Sequence, residues 1–272
     1  MLSALNNNQI SCLGAPSTIW CVPAIHADLD RLISIHDQIF AKFKVGDRLI
    51  YMGNYTGYGA KASECIDELL TFRRLLLSLP GMRCSDITYL RGQQEEILHK
   101  LYQLPFAQGA TDVFLWMLDH GLGTTLDSYG LCKYDGIEAC RGGSIKITKW
   151  INALRTAIRR HPGHETFGTQ FIKASYTDLQ KECPLLFVNA GLDKNLPLDR
   201  QNDQFWWNAS GFETIQTPYQ SFQKVIRGYD PKHQGVFITD NTATIDGGCG
   251  FGGNLISAAF DQNGEISEIL EA

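Results

Sequence analysis

The chain has 272 residues, 44% of them hydrophobic and 19% charged, with a net charge of −5, which is enough for a sizeable core in one large α/β domain or two small ones. The mild acidity, with no long run of either sign, speaks against a nucleic-acid-binding surface and supplies no polybasic membrane patch. The apolar runs are too short to cross a bilayer. Eight cysteines at 12, 21, 65, 84, 132, 140, 183 and 249 contain no C-x-x-C pair, which argues against a structural zinc site. The opening MLSALNNNQISCLG lacks the basic and apolar regions of a secretory signal. Reduced thiols and the cytoplasm are therefore the expectation.

Residues 19–25 read as a buried strand interrupted by Pro23. A helix follows, with Leu29, Leu32, Ile33, Ile39, Phe40 and Phe43 at the spacing of one buried face. Asp28 is its expected N-cap and Gly46 its stop, and His36 falls on the apolar face as a core histidine. Residues 48–52 form the next strand and open into the glycine-bounded loop Gly53-Asn54-Tyr55-Thr56-Gly57-Tyr58-Gly59. Residues 61–79 are a second amphipathic helix striped by Ile66, Leu69, Leu70, Leu76 and Leu77 and ended by Pro80-Gly81. A strand at 85–90, a loop at 91–95 and a helix at 95–104 come next, and this alternation argues for an α/β sheet.

Residues 106–162 read as mainly helical, clearest at 112–120 and 147–160. The lysine and arginines of the second piece, Lys149, Arg155, Arg159 and Arg160, read as a solvated helix face rather than a binding patch. The C-terminal part is strand-rich, at 184–188, 222–226, 236–239, 243–245 and 255–260. Between the first two lies an aromatic segment, 205–222, read as core under a long loop, with an interface as the alternative. No repeat, low-complexity tract or linker stands out, so 1–272 reads as a single domain.

The loop at 53–59 resembles the G-D-Y-x-D-R-G signature of the calcineurin-like metallophosphoesterases, in their serine/threonine-phosphatase and diadenosine-tetraphosphatase branch. The likeness runs over about 19–260 in motif order. Pro23-Ala24-Ile25-His26-Ala27 aligns with G-D-x-H-G, Arg91-Gly92-Gln93-Gln94-Glu95 with R-G-N-H-E, Val188-Asn189-Ala190-Gly191 with H-A-G after its strand, and Gly228-Tyr229 with G-H. His120 to Gly130, HGLGTTLDSYG, resembles a stretch of the bacterial helical insert. The resemblance implies a four-layer α/β/β/α sandwich with a mixed two-sheet core and a helical insert at about 106–162. It also implies a site on loops at the carboxyl ends of strands, where the family holds two metal ions about 3.5–4 Å apart.

Of the six family ligand positions, Ala24, His26, Asn54, Gln93, Asn189 and Tyr229, only His26 keeps the family residue. Gly57 and Tyr58 stand where the signature has its second aspartate and its arginine. Gln94 replaces the histidine that serves as general acid. Meanwhile Gly53, Tyr55, Gly59, Arg91, Gly92, Glu95, Gly191, Gly228 and Asp246 fit the frame. The expectation is a kept fold with a dismantled metal site: a pseudophosphatase without enzymatic activity, metal or cofactor, acting through a protein partner. The alternatives are a remodelled metal-dependent phosphoesterase, with His26 holding one metal beside Asp28 or Asp30, and a nucleotide or phosphate sensor contacted by Arg91 or Arg227. The 246–253 run, Asp-Gly-Gly-Cys-Gly-Phe-Gly-Gly, is a weak match to a phosphate-cradling loop. In it Cys249 reads as the most exposed thiol.

Overall fold

The computed structural model describes residues 9–272. Its strands are β1 (Ile10–Cys12), β2 (Ile19–Val22), β3 (Arg48–Tyr51), β4 (Ile87–Tyr89), β5 (Ala174–Tyr176), β6 (Leu185–Val188), β7 (Lys224–Arg227), β8 (Phe237–Ile238), β9 (Thr242–Thr244), β10 (Ile256–Phe260) and β11 (Ile266–Glu271). They form two mixed sheets, ordered β11-β10-β2-β3-β4 and β1-β5-β6-β7-β9-β8. In the first, β2, β3 and β4 run parallel. In the second, β6, β7 and β9 do the same.

The period-two alternation of the strands builds the layers. Cys21 and Ile50 face inward and pack with Phe187, Ile226 and Phe260 between the sheets. Their neighbours Trp20, Val22, Leu49 and Tyr51 face outward, against helices α1 (Leu29–Phe40) and α2 (Ala62–Leu77). On the far side Leu186, Val188 and Val225 pack beneath Phe205, Trp206, Phe212, Tyr219 and Phe222. The expected four-layer sandwich is thus present, and the aromatic segment is core. Trp207 alone among its tryptophans and phenylalanines is exposed, at 39%.

Asp28 caps α1 by accepting from the Arg31 backbone N–H, as expected. The helix ends at Phe40 rather than near Gly46, and Ile33 and Phe40 are exposed at 40% each, so the buried stripe is Leu32, Ile35, His36 and Ile39. His36 is a core residue as read: its ring stacks 3.9 Å from Phe72, and Tyr51 and Glu68 bond its two nitrogens. Helix α3 (Gln93–Leu101) starts two residues before the expected 95. The reason is Glu95, whose carboxylate reaches back to accept from the Gly92 N–H and so makes Gln93 and Gln94 the first helical turn.

The insert holds α4 (Ala110–Met117), α5 (Gly123–Ser128), α6 (Lys133–Arg141), α7 (Ser144–Arg159) and the short α8 (His164–Phe167) around Leu101, Phe114, Trp150 and Leu154. The helix expected over 112–120 breaks at a wide turn, where Gly121 has φ +93°. A side chain there would lie 3.0 Å from the Tyr58 backbone nitrogen, so only glycine lets the insert approach the 53–59 loop. Helices α9 (Gln204–Trp207) and α10 (Ala209–Phe212) complete the layer over the second sheet.

Candidate functional site

The six parallel strands direct their carboxyl ends toward one place, and the loops that follow them interlock. Glu95 is the tie: it is buried, and its carboxylate accepts from the backbone N–H groups of Asn54, Tyr55 and Gly92 at 2.8–2.9 Å. A Cβ on Gly53 (φ +87°) would sit 2.6 Å from the Gly92 nitrogen, so the two loops touch backbone to backbone. Four non-glycine residues here adopt left-handed backbone, His26, Ala27, Asn54 and Tyr58, a conformation that costs about 1–2 kcal/mol per ordinary residue and gathers at functional loops.

The loops bring together the residues named from the sequence, which bond mostly to backbone. Asn54 Oδ1 accepts from the Gln94 N–H at 3.1 Å, and Asn189 Nδ2 donates to the Met52 carbonyl at 2.6 Å. Gln94 Nε2 donates to the His120 carbonyl and Gln93 Nε2 to that of Trp206. Gln94 also lies against Gly57. Ala24, fully buried, packs with Ala190 and Tyr229.

His26 is 1% exposed and boxed by the edges of Tyr58, Tyr229 and Phe251, with ring centroids 5.1–5.5 Å away. Neither of its ring nitrogens has a hydrogen-bond partner. Burial pushes the imidazole down to about 3, so it is neutral. Asp28 is engaged by Arg31 and Asp30 by Lys61, so neither expected carboxylate is paired with His26. Burial also raises the Tyr58 and Tyr229 phenols.

Two other expectations change. Arg227 is a structural cation: it is buried, pairs with Asp230 at 3.2 Å, bonds Thr244 and lies 4.4 Å over the Phe212 ring. Cys249 is 1% exposed, its thiol donates to the Ile25 carbonyl, and burial pushes it up to about 12. The 246–253 run is a structural turn at its start, where Asp246 accepts from the backbone of Asp230 and Gly248 and from His233.

Arg91 points elsewhere. It lines a cavity of about 360 Å³ between the 53–59 and 91–95 loops and the insert, with Arg155, Arg159, His99, His164, Glu165 and an aromatic wall that includes Tyr102, Tyr129, Phe167 and Phe171. Arg91 pairs with Glu96 and Arg159 with Glu165. Arg155 has no carboxylate at ion-pair distance among the described residues and lies 5.0 Å from the Tyr102 ring centre. Arg155 and Arg159 of α7 are exposed, as the solvated-face reading has it, and also border this cavity. Beside it Asp67, His161 and His164 gather their donor atoms within 4.8 Å of one another, the only such group of three potential metal ligands among the described residues. The sequence reading passed over all three. The H-P-G-H spacing of 161–164 was the visible signal, but Asp67 lies far off in the chain.

No family model matches the sequence, and no curated protein matches it. Solved structures do resemble the fold. One of a candidate diadenosine tetraphosphatase has a TM-score of 0.54 and 15% identity, covering 97% of both chains. A cold-active protein tyrosine phosphatase variant has 0.52 and 11%, covering 97% of this chain and 83% of that one. A protein serine/threonine phosphatase from Saccharomyces cerevisiae has 0.51 and 13%, covering 97% and 84%. The expectation that the chain is not an enzyme is corrected here. The structural neighbours are phosphatases, and the Asp67, His161 and His164 group has metal-ligand chemistry. The error came from equating the chain's chemistry with the family's ligand positions. The chain has the fold of the calcineurin-like metallophosphoesterases.

Proposed function

We propose that the chain is a phosphoester hydrolase that holds its substrate in the arginine-lined cavity rather than at the loop positions where the family binds two metals. The observation that carries the reading is the grouping of Arg91, Arg155 and Arg159 with His99 and His164 around one cavity of about 360 Å³, a size suited to a small ligand. Guanidinium groups match phosphate oxygens in planar, two-pronged hydrogen bonds. Arg155 carries the charge that is not already paired. The aromatic wall suits a leaving group with a ring, a nucleoside or an aryl alcohol.

The family's positions support this relocation. Two dications about 4 Å apart repel and need carboxylates to hold them. Ala24 has no donor, Asn54 Oδ1 accepts a backbone N–H, and the Glu95 oxygens serve three more, so the donor atoms left open at these positions are Asn189 Oδ1 and the His26 nitrogens, all neutral. These residues do not fit a two-metal centre, and no step is assigned to them. In the proposed reaction a water oxygen bonds to phosphorus, the ester P–O bond breaks, and a water proton ends on the leaving oxygen.

The test is hydrolysis of p-nitrophenyl phosphate and nucleoside monophosphates with added divalent metal. Arg155→Ala is expected to lower kcat/KM by about tenfold or more. Wild-type turnover at background for every substrate, or an unchanged rate in the variant, overturns the reading.

A further inference from the structure

We propose that Asp67, His161 and His164 form a single-metal site for zinc at the rim of the cavity. Three separate elements build it. Asp67 projects from α2, His161 lies just past the end of α7, and His164 opens α8. The Pro162-Gly163 turn, with Gly163 at φ +90°, sets the two imidazoles side by side, their centroids 4.9 Å apart.

His164 Nε2 lies 3.0 Å from Asp67 Oδ1, and His161 Nδ1 lies 3.9 Å from Asp67 Oδ2. Donors each about 2.0–2.1 Å from a tetrahedral zinc stand about 3.3 Å apart, so these separations bracket the requirement. Two imidazoles and one carboxylate are a donor set that zinc takes in hydrolytic sites, leaving one position open. That position has room, because the Asp67 side chain is 53% and that of His161 34% exposed.

A support for the ligand stands behind it, as metal-binding imidazoles need. The Tyr129 hydroxyl is 2.8 Å from His164 Nδ1, and its ring packs edge-on against both histidines. Without a metal, His164 Nε2 donates to Asp67 and Nδ1 accepts from the Tyr129 hydroxyl; when Nε2 turns to a metal its proton leaves, and the tautomer with the proton on Nδ1 donates to the Tyr129 oxygen.

As a component of a hydrolase this site rests on the cavity reading, but metal binding is measured without substrate, so the two fail separately. The experiment titrates the chelator-treated full chain with Co²⁺ and follows its visible absorption bands, with Zn²⁺ as competitor. One equivalent is expected to bind and to be displaced by Zn²⁺. His161→Ala, at a half-buried position, and Asp67→Asn, at an exposed one, are each expected to weaken binding at least about tenfold. Circular dichroism melts of the same samples verify folding. His26→Asn is expected to leave the titration unchanged. Absence of Co²⁺ bands at millimolar metal, binding unaffected by both His161→Ala and Asp67→Asn, or binding lost in His26→Asn overturns the proposal.

Discussion

Acidification should expose the state of His26 directly. The ring is fully buried, boxed by three aromatic side chains, and neither nitrogen has a partner. A proton placed on it creates a buried charge with no carboxylate beside it, and the Thr56 backbone nearby offsets only part of the cost of burial. Its pKa is 6.5 in an exposed chain and about 3 in the fold. The unfolded chain therefore takes up the proton first, so the stability tied to neutral His26 is complete above pH 6.5 and is lost as pH falls toward 3. At about 1.4 kcal/mol per pH unit the full effect is about 5 kcal/mol, of which about 2 kcal/mol is gone by pH 5. The control is His26→Asn, because asparagine tolerates the left-handed φ of +49° at this position. Urea unfolding of both proteins at pH 7 and pH 5 gives the difference in stability between them. His36 and His164, also held down by burial, are common to both and cancel. The account predicts that wild type loses about 2 kcal/mol relative to the variant between the two pH values. A constant difference refutes it, and means that His26 keeps a partner for its proton in the fold.

Two further substitutions test the frame around this pocket. Glu95→Gln replaces a carboxylate that accepts three backbone N–H bonds with an amide that has one acceptor oxygen and a competing donor. Urea denaturation should show a loss of about 2–4 kcal/mol, and a loss under about 0.5 kcal/mol contradicts the tie between the loops. Trp206→Ala should cost about 3–5 kcal/mol, because the ring is 1% exposed in the second core, whereas Trp207→Ala, at 39% exposure, should cost under about 1 kcal/mol. Equal costs for the pair contradict the core assignment of the aromatic segment.

What could be read from the sequence follows the strength of the local pattern. The run from β2 through α1, β3 and α2 to β4 was legible because long periodic stripes and a capping aspartate mark each element in turn. The strands that escaped, β1, β5 and β11, lie at or next to sheet edges. β1 and β5 are three residues long, and the ISEILE of β11 does not alternate cleanly. The loop pocket was legible in composition, since its glycines carry motif frames, but not in its bonding. Nothing in the letters says that Asn189 bonds the Met52 carbonyl or that Cys249 lies beneath Ile25. The second site was hidden for a different reason. Asp67 and His164 stand 97 residues apart and meet only because α2 packs beside the insert. The two arginines of α7 were hidden by their own helix, because a charged face looks the same from the sequence whether it meets solvent or a cavity.

The most direct test of where this protein acts compares the turnover of p-nitrophenyl phosphate by wild type, Arg155→Ala and His26→Asn under one metal condition. The account predicts turnover by wild type, a drop of about tenfold or more in Arg155→Ala, and retention in His26→Asn. Loss of turnover in His26→Asn with none in Arg155→Ala would put the chemistry back at the loop pocket and contradict the account.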